Sequence, residues 1–363
     1  MRKKMILLAL TLFIGLSACG NDDKELPDEP GKEQGGNGGD EPENPDNPSG
    51  NEPVSWYVAT TGNDGNSGTL DSPLKSISKA LLRVNPGDTI FLREGAYHEF
   101  VTPTRSGEKG KLITLKSYPG ETAKIDGTGM TIKGWFSALV QLKSVQYMTF
   151  ENLHICNATN SDVNTDPEGV YINGVSRDIT FRNCKVYNIK STCLAGHNNG
   201  DWRSAHAFLV IGDDNGTPIR NLTIEKCEIY DMHTGTSETL TIAGNVDGFT
   251  IQDCEVHDVE NIGIIVAGGD NLNAGGNISV NYARNGVVRR NKVYRCSHQV
   301  SKDFWEGVYN NPAAYGAIGI YVCGGASTII EQNIVWECDR AIGLVSESNV
   351  LATNCLLYTS DAA

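Results

Sequence analysis

Glu168, His206 and Glu238 each stand one residue ahead of a short β-branched run, GVYINGV, AFLVIGD and TLTIAGN respectively. Two carboxyls and an imidazole at equivalent places in successive units can act as acid and base on a substrate lying across them. If the units stack as rungs, Glu168 and Glu238 are two rungs apart, roughly 9.6 Å at the backbone. That is near the carboxyl spacing with which inverting glycosidases protonate a leaving oxygen and activate water. Strand parity points the three inward, where burial is costly and pKa values shift strongly. They sit at a bend, however, where parity is a weak guide. The competing reading is a salt-bridged ladder of structural use alone. Ile262, Ile318 and Ile342 are expected to continue the column as apolar residues.

A second set occupies a recurrent corner: Asn188, Asp231, Asp258, Arg295 and Glu337, with His233 and His257 nearby. Asp231 and Asp258 on neighbouring rungs could share a calcium ion, a hard cation that prefers oxygen ligands, and calcium is the cofactor expected. Against this, every unit carries a polar residue here, and Asp and Asn serve turns by bonding their own backbone. In VHDVENIGIIVAGG (residues 256–269), Glu260 and Asn261 have no counterpart in the other units and lie beside the Glu238 rung. An outward series, His154, Lys185, Glu228, Glu255 and Lys292, runs beside Tyr187, Tyr230, His257, Tyr294 and Trp336. It reads as a surface ladder of cross-rung pairs or as a flat sugar-binding face. Lys292, with Arg284 and Arg289, is the basic cluster best suited to neutralise a uronate. Trp202, Trp305, Tyr309 and Tyr315 belong to the long loops 189–205 and 297–316. They are expected either to wall a groove and stack on sugar rings, or to pack those loops down.

What could position such residues is a repeat. MTFENLHICN, ITFRNCKVYN, LTIEKCEIYD, FTIQDCEVHD, VVRRNKVYR and TIIEQNIVWE align with one another. Between them runs a second series: GVYINGV, AFLVIGD, TLTIAGN, GIIVAGG, GIYVCGG and GLVSES. Short β-branched strands without intervening helices, in units of about 20 to 30 residues, predict an all-β parallel β-helix. Val170, Phe208, Leu240, Ile264, Ile320 and Leu344 are assigned one inward register, and Ile172, Val210, Ile242, Val266 and Val322 the other. Leu153, Cys184, Cys227, Cys254, Asn291 and Asn333 share one position. Stacked rungs lie farther apart than a disulfide prefers, so a core ladder of free thiols, extended by asparagines, is expected there. SPLKSISKALLRV reads as a short N-terminal capping helix with Ser72 as N-cap and Pro73 at its first position.

The ends differ from this body. Residues 1–19, with Arg2, Lys3 and Lys4 before a short apolar run, form a secretory signal. LSAC resembles the lipobox of bacterial lipoproteins, which implies acylation of Cys19 and an outer-membrane lipoprotein facing the cell surface or the periplasm. Residues 20–54 hold eleven acidic and two basic residues and almost nothing apolar, so they are expected to be a disordered tether. Of the net charge of −14, that tether accounts for −9 and the signal for +3, leaving −8 for the rest. A mildly acidic body argues against nucleic acid as a partner. The closing CLLYTSDAA, residues 355–363, resembles one reading frame of a sequencing adapter. The β-helix domain is therefore expected to span 55–354 and to be cut short there.

WYVATTGNDGNSGTLDSPLKSISKALLRVNPGDTIFLREGAYHE resembles the opening of many secreted right-handed β-helix proteins, family 9 pectate lyases among them. With the rungs, the likeness covers nearly all of residues 55–354. It implies a right-handed coil and a polysaccharide substrate; a monomer is expected. In those lyases a lysine base acts beside calcium held in a pattern close to DDGxD. Here GDDNG supplies Asp213 and Asp214 but lacks the last acid, so those catalytic residues are not carried over. The expected function is a polysaccharide lyase on acidic glycans. The alternatives are an inverting hydrolase using the paired glutamates and a non-catalytic glycan-binding module.

Overall fold

The computed structural model describes residues 52–162, 164–193, 203–268, 280–308, 316–345 and 347–358. Cys19 and residues 20–51 of the acidic tether lie outside them, as do Trp202, Tyr309 and Tyr315. The described chain winds through three parallel sheets. The first has ten strands, from Ser55–Val58 to Leu351–Thr353. The second also has ten, from Gly95–Tyr97 to Leu356–Tyr358. The third has seven, from Ser137–Lys143 to Arg340–Val345. One rung takes a strand from each in turn, for example Arg177–Arg182, Lys185–Ser191 and His206–Gly212. This is the expected parallel β-helix.

The corners explain why so many polar residues recur. Between the first and second sheets, Asn152, Asn183, Lys226, Asp253, Arg290, Gln332 and Asn354 all have φ between 53° and 57°. Asn157, Asn188, Asp231, Asp258, Arg295 and Glu337 repeat this, with φ from 50° to 63°. Left-handed backbone excludes β-branched residues and favours Asn and Asp, which satisfy it with local hydrogen bonds. The corner set is thus a backbone requirement.

Directly after the first corner comes the ladder of small residues. Cys184, Cys227 and Cys254 are buried, and every described cysteine is a free thiol. Asn291 and Asn333 extend the ladder through backbone bonds. The Cys254 N–H donates to Asn291 Oδ1 (2.9 Å), the Asn291 N–H donates to Asn333 Oδ1 (3.0 Å), and Asn291 Nδ2 donates to the Ile251 carbonyl (3.0 Å). Phe150 stacks on Phe181 at 4.6 Å between ring centroids, and Phe208 meets Phe181 edge-on.

Two expectations need correction. The helix near the start is Ile77–Leu81, capped by Ser76, because Leu74 is still paired with the strand at Val58 and holds residues 72–75 extended. It buries Ile77, Ala80 and Leu81, and in chain order it follows the first strand of the first sheet rather than preceding it. In the last unit, Ile320 pairs with Ile342 and Val322 with Leu344, while Arg340 falls opposite Ile318. The short turn after Trp336 starts that strand one pleat early, so Leu344 and Ile342 each sit one inward place away from the expected register.

Candidate functional site

Glu168, His206 and Glu238 head three adjacent strands of the third sheet, Pro167–Asn173, His206–Gly212 and Glu238–Gly244. Glu168 is the register partner of His206. Inward parity fails here for a specific reason. Ala207 lies in the main core beside Phe208, and a Cβ on Gly169 would come 2.8 Å from Val186 Cγ1. Two successive residues therefore face inward, and the preceding residue of each strand is turned to the outer face. Thr241, which faces away from core residues Leu240 and Ile242, accordingly donates its hydroxyl to Glu238 Oε2 (3.3 Å). Ile262 and Ile318 continue the column and pack with Ile265 and Tyr321.

The cluster is nonetheless shielded: Glu168 is fully buried, His206 is 4 % exposed and Glu238 9 %. His206 Nδ1 lies 3.1 and 3.0 Å from the two Glu168 oxygens, and its Nε2 lies 3.7 Å from Glu238 Oε2. Burial opposes charge on the ring, but the Glu168 and Glu238 carboxylates outweigh it and hold the His206 pKa up at about 10. Burial raises Glu168 to about 7, against the pull of the His206 charge. A protonated imidazole thus sits between two acids, the buried one fixing its orientation and the other at the rim.

A second network braces the feet of these strands. Arg203, three residues before His206, donates from Nη2 to Glu260 Oε2 (2.8 Å) and to Ser301 Oγ (3.2 Å), and lies over the Phe304 ring at 4.3 Å. Glu260 also accepts the Gly235 N–H (3.1 Å). Burial raises Glu260 to about 7, opposed by Arg203. Asn261 donates to the Ser237 carbonyl (3.0 Å), and its Oδ1 accepts from His298 Nε2 (3.1 Å), while the Gly316 N–H donates to His298 Nδ1 (3.3 Å). That pattern requires neutral His298, in keeping with burial lowering its pKa to about 4. Glu260 and Asn261, unmatched in the repeat, therefore tie the segments before His206 and Glu238 to the helical turn His298–Ser301.

The other candidates lie elsewhere. Trp305 is 2 % exposed and stacks on His298 with centroids 3.5 Å apart, so it packs its loop and presents no face to a sugar. Arg284, on the first sheet, is engaged by Asp247 (3.2 Å) and Asn245 (3.0 Å). Lys292 is exposed on the second sheet, so neither cation joins the third-sheet cluster. Asp258 is held by Arg295 at 2.5 and 2.6 Å, which with His257 lowers its pKa to about 2, and Asp231 pairs with Lys190 at 2.7 Å. These carboxylates are committed to cations of their own and do not fit a shared calcium. Among the described residues no group of three or more His, Cys, Asp and Glu is placed to hold a metal.

The outward ladder is real, but its rings face one another. Tyr187, Tyr230, His257, Tyr294 and Trp336 stack at 4.1 to 5.2 Å, within 13° of parallel. Faces spent on neighbours are not available to sugars. Sequence reasoning missed Asp166, which is fully buried with both carboxyl oxygens unpartnered among the described residues, and Arg203. An acid two residues before Glu168 was the available signal for the first.

Residues 56–262 match the family model described as Pel9A-like, right handed beta helix region. The chain belongs to that family. Its coil is right-handed on the same ground. It is 30 % identical over 306 residues to the Bacillus subtilis protein YwoF, covering 84 % of this chain and 61 % of that one. It is also 30 % identical over 142 residues to pectate lyase PEL9 of Emericella nidulans, covering 35 % of this chain and 33 % of the relative. The chain thus spans about three fifths of the first relative and a third of the second. The GH136 lacto-N-biosidase of Eubacterium ramulus shares the fold with a TM-score of 0.63 at 18 % identity, over 84 % of this chain and 56 % of that one.

Proposed function

We propose that the protein cleaves polysaccharide, as a lyase on uronate-containing glycans, with Glu168, His206 and Glu238 as its reactive centre. The observation that carries this reading is a histidine clamped between two glutamates on three successive rungs, in a column that Ile262 and Ile318 continue. β-Elimination needs a base for a carbon-bound proton and an acid for the departing oxygen. Glu238, at the rim, is the acceptor, His206 is the donor, and Glu168 holds the ring. The relative named as a pectate lyase supports an acidic glycan as substrate. Paired-glutamate inversion is the weaker reading, because the His206 ring fills the gap where that mechanism places a water and the scissile bond.

The test is a panel of uronate-containing and neutral glycans, each with and without chelator. Absorbance from unsaturated products supports the lyase. New reducing ends without that absorbance mean a hydrolase, and retention of glycan without either means a binding module. The chelator arm decides whether a divalent cation such as calcium, which Asp231 and Asp258 do not house, enters with the substrate. Glu238→Gln should lower turnover by about 10²–10⁴-fold while leaving glycan binding in place. Unchanged turnover would remove the cluster from the chemistry.

A further inference from the structure

Asp166 lies two residues before Glu168, with its side chain fully buried. Its backbone is used: the Ser137 N–H donates to the Asp166 carbonyl (3.0 Å), and the Asp166 N–H donates to the Gly134 carbonyl (3.1 Å). Its side chain is not, since neither Oδ1 nor Oδ2 has a hydrogen-bond partner among the described residues. The charged groups acting on it are Glu168, on its own strand, and His206, on the next. In the adjoining 132–137 segment the one charged residue, Lys133, is exposed and does not act on it. Glu238 faces His206 from the far side.

With every acid ionised, this pocket would hold three carboxylates against one imidazolium. A surplus of buried, unpaired negative charge is strongly unfavourable, and a buried group escapes that cost by neutralising itself. The residue that neutralises is the one without a partner, since Glu168 has the His206 ring and Glu238 has that ring and the Thr241 hydroxyl. We infer that Asp166 is the proton store of the cluster: a neutral carboxylic acid that limits the centre to one surplus negative charge. It is a positioning residue for protons and touches no substrate. The inference rests on the reactive centre proposed above. Burial, reinforced by the Glu168 charge and opposed by His206, places the Asp166 pKa at about 8.

The sign of the linkage gives a test independent of turnover. A carboxyl whose pKa is raised in the folded state contributes stability that is fully present below its unfolded pKa of about 3.9. That stability is lost as the pH rises through the folded value. The thermal midpoint of the parent should therefore fall from roughly pH 5 to pH 8 more steeply than that of Asp166→Asn, which copies the neutral acid, by the equivalent of one proton. In the parent, the His206 ring resonances should show a step near the Asp166 pKa of about 8, and the variant should lack it. Glu168 gives the ring a step of its own near pH 7 in both proteins; equal pH slopes in the two proteins, or survival in Asp166→Asn of the separate step near 8, overturn the inference. If both results hold and no glycan is cleaved, the functional reading fails while the proton store stands.

Discussion

A charged histidine in a dry position persists only while its flanking carboxylates remain ionised, so pH should report directly on His206. Its folded pKa of about 10 is raised from an ordinary 6.5. The stability it contributes is therefore fully present below about pH 6.5 and is lost as the pH climbs through 10. Denaturant unfolding should show stability falling between about pH 7 and pH 10, and His206→Ala should make that fall shallower, with the share that belongs to Asp166 remaining. At pH 7 the same variant should be less stable by about 3–5 kcal/mol, because Glu168 is left buried without its partner. A variant as stable as the parent at pH 7 would mean that the ring holds no buried charge. The three residues of this centre were legible in the sequence as equivalent positions ahead of successive strands. Their direction was not, because alternation breaks at Gly169 and Ala207, and only packing against Val186 reveals the break. Asp166 was hidden for a related reason. It has no counterpart in the repeat, and its importance lies in partners it lacks.

At the scale of elements, the repeat exposed most of the architecture, since each corner demands left-handed backbone and each core position an apolar or small residue. What it concealed were contacts between residues far apart in the chain, such as the 57-residue span from Arg203 to Glu260. The first-sheet ladder was hidden in the same way. There Arg182 bridges Glu151 (2.8 Å) and Glu225 (2.5 Å), and Gln252 passes the chain of contacts on to Arg289 (3.0 Å). Those pairs are partly exposed and contribute little each. The Arg203–Glu260 pair is buried, and the asymmetry of buried charges makes it testable. Arg203→Ala should destabilise the protein by about 3–5 kcal/mol, as a carboxylate is left without its cation. Replacing both partners, as Arg203→Met with Glu260→Leu, should recover most of that loss in denaturant unfolding. If the double variant instead recovers stability but not glycan turnover, the pair acts chiefly by holding the strand feet that carry His206 and Glu238.

Across the whole coil, each rung is stabilised mainly by the rungs above and below it, so stability should vary along the axis. In the middle, the inward residues Phe208, Val210, Leu222 and Ile224 are at most 1 % exposed. In the last described rung, Leu351 is 56 %, Leu356 47 % and Leu357 49 % exposed, and Leu344 in the strand before them is 38 % exposed. Among the described residues those strands are paired on one side only, with Leu351–Thr353 bonded to Ile329–Glu331 and Leu356–Tyr358 to Ile334–Trp336. Fewer buried apolar contacts and one-sided hydrogen bonding place a segment at the low end of local opening free energies. Hydrogen exchange followed by mass spectrometry should therefore find the amides of Leu351–Thr353 and Leu356–Tyr358 exchanging first. Ile329–Glu331 should follow, and His206–Gly212 should be protected to the level of global unfolding. Because the described cysteines are free thiols, a reducing agent should leave that order unchanged. Uniform protection from Pro167 to Tyr358 would mean instead that the coil opens as one cooperative body, with burial in the middle rungs propagated to the last.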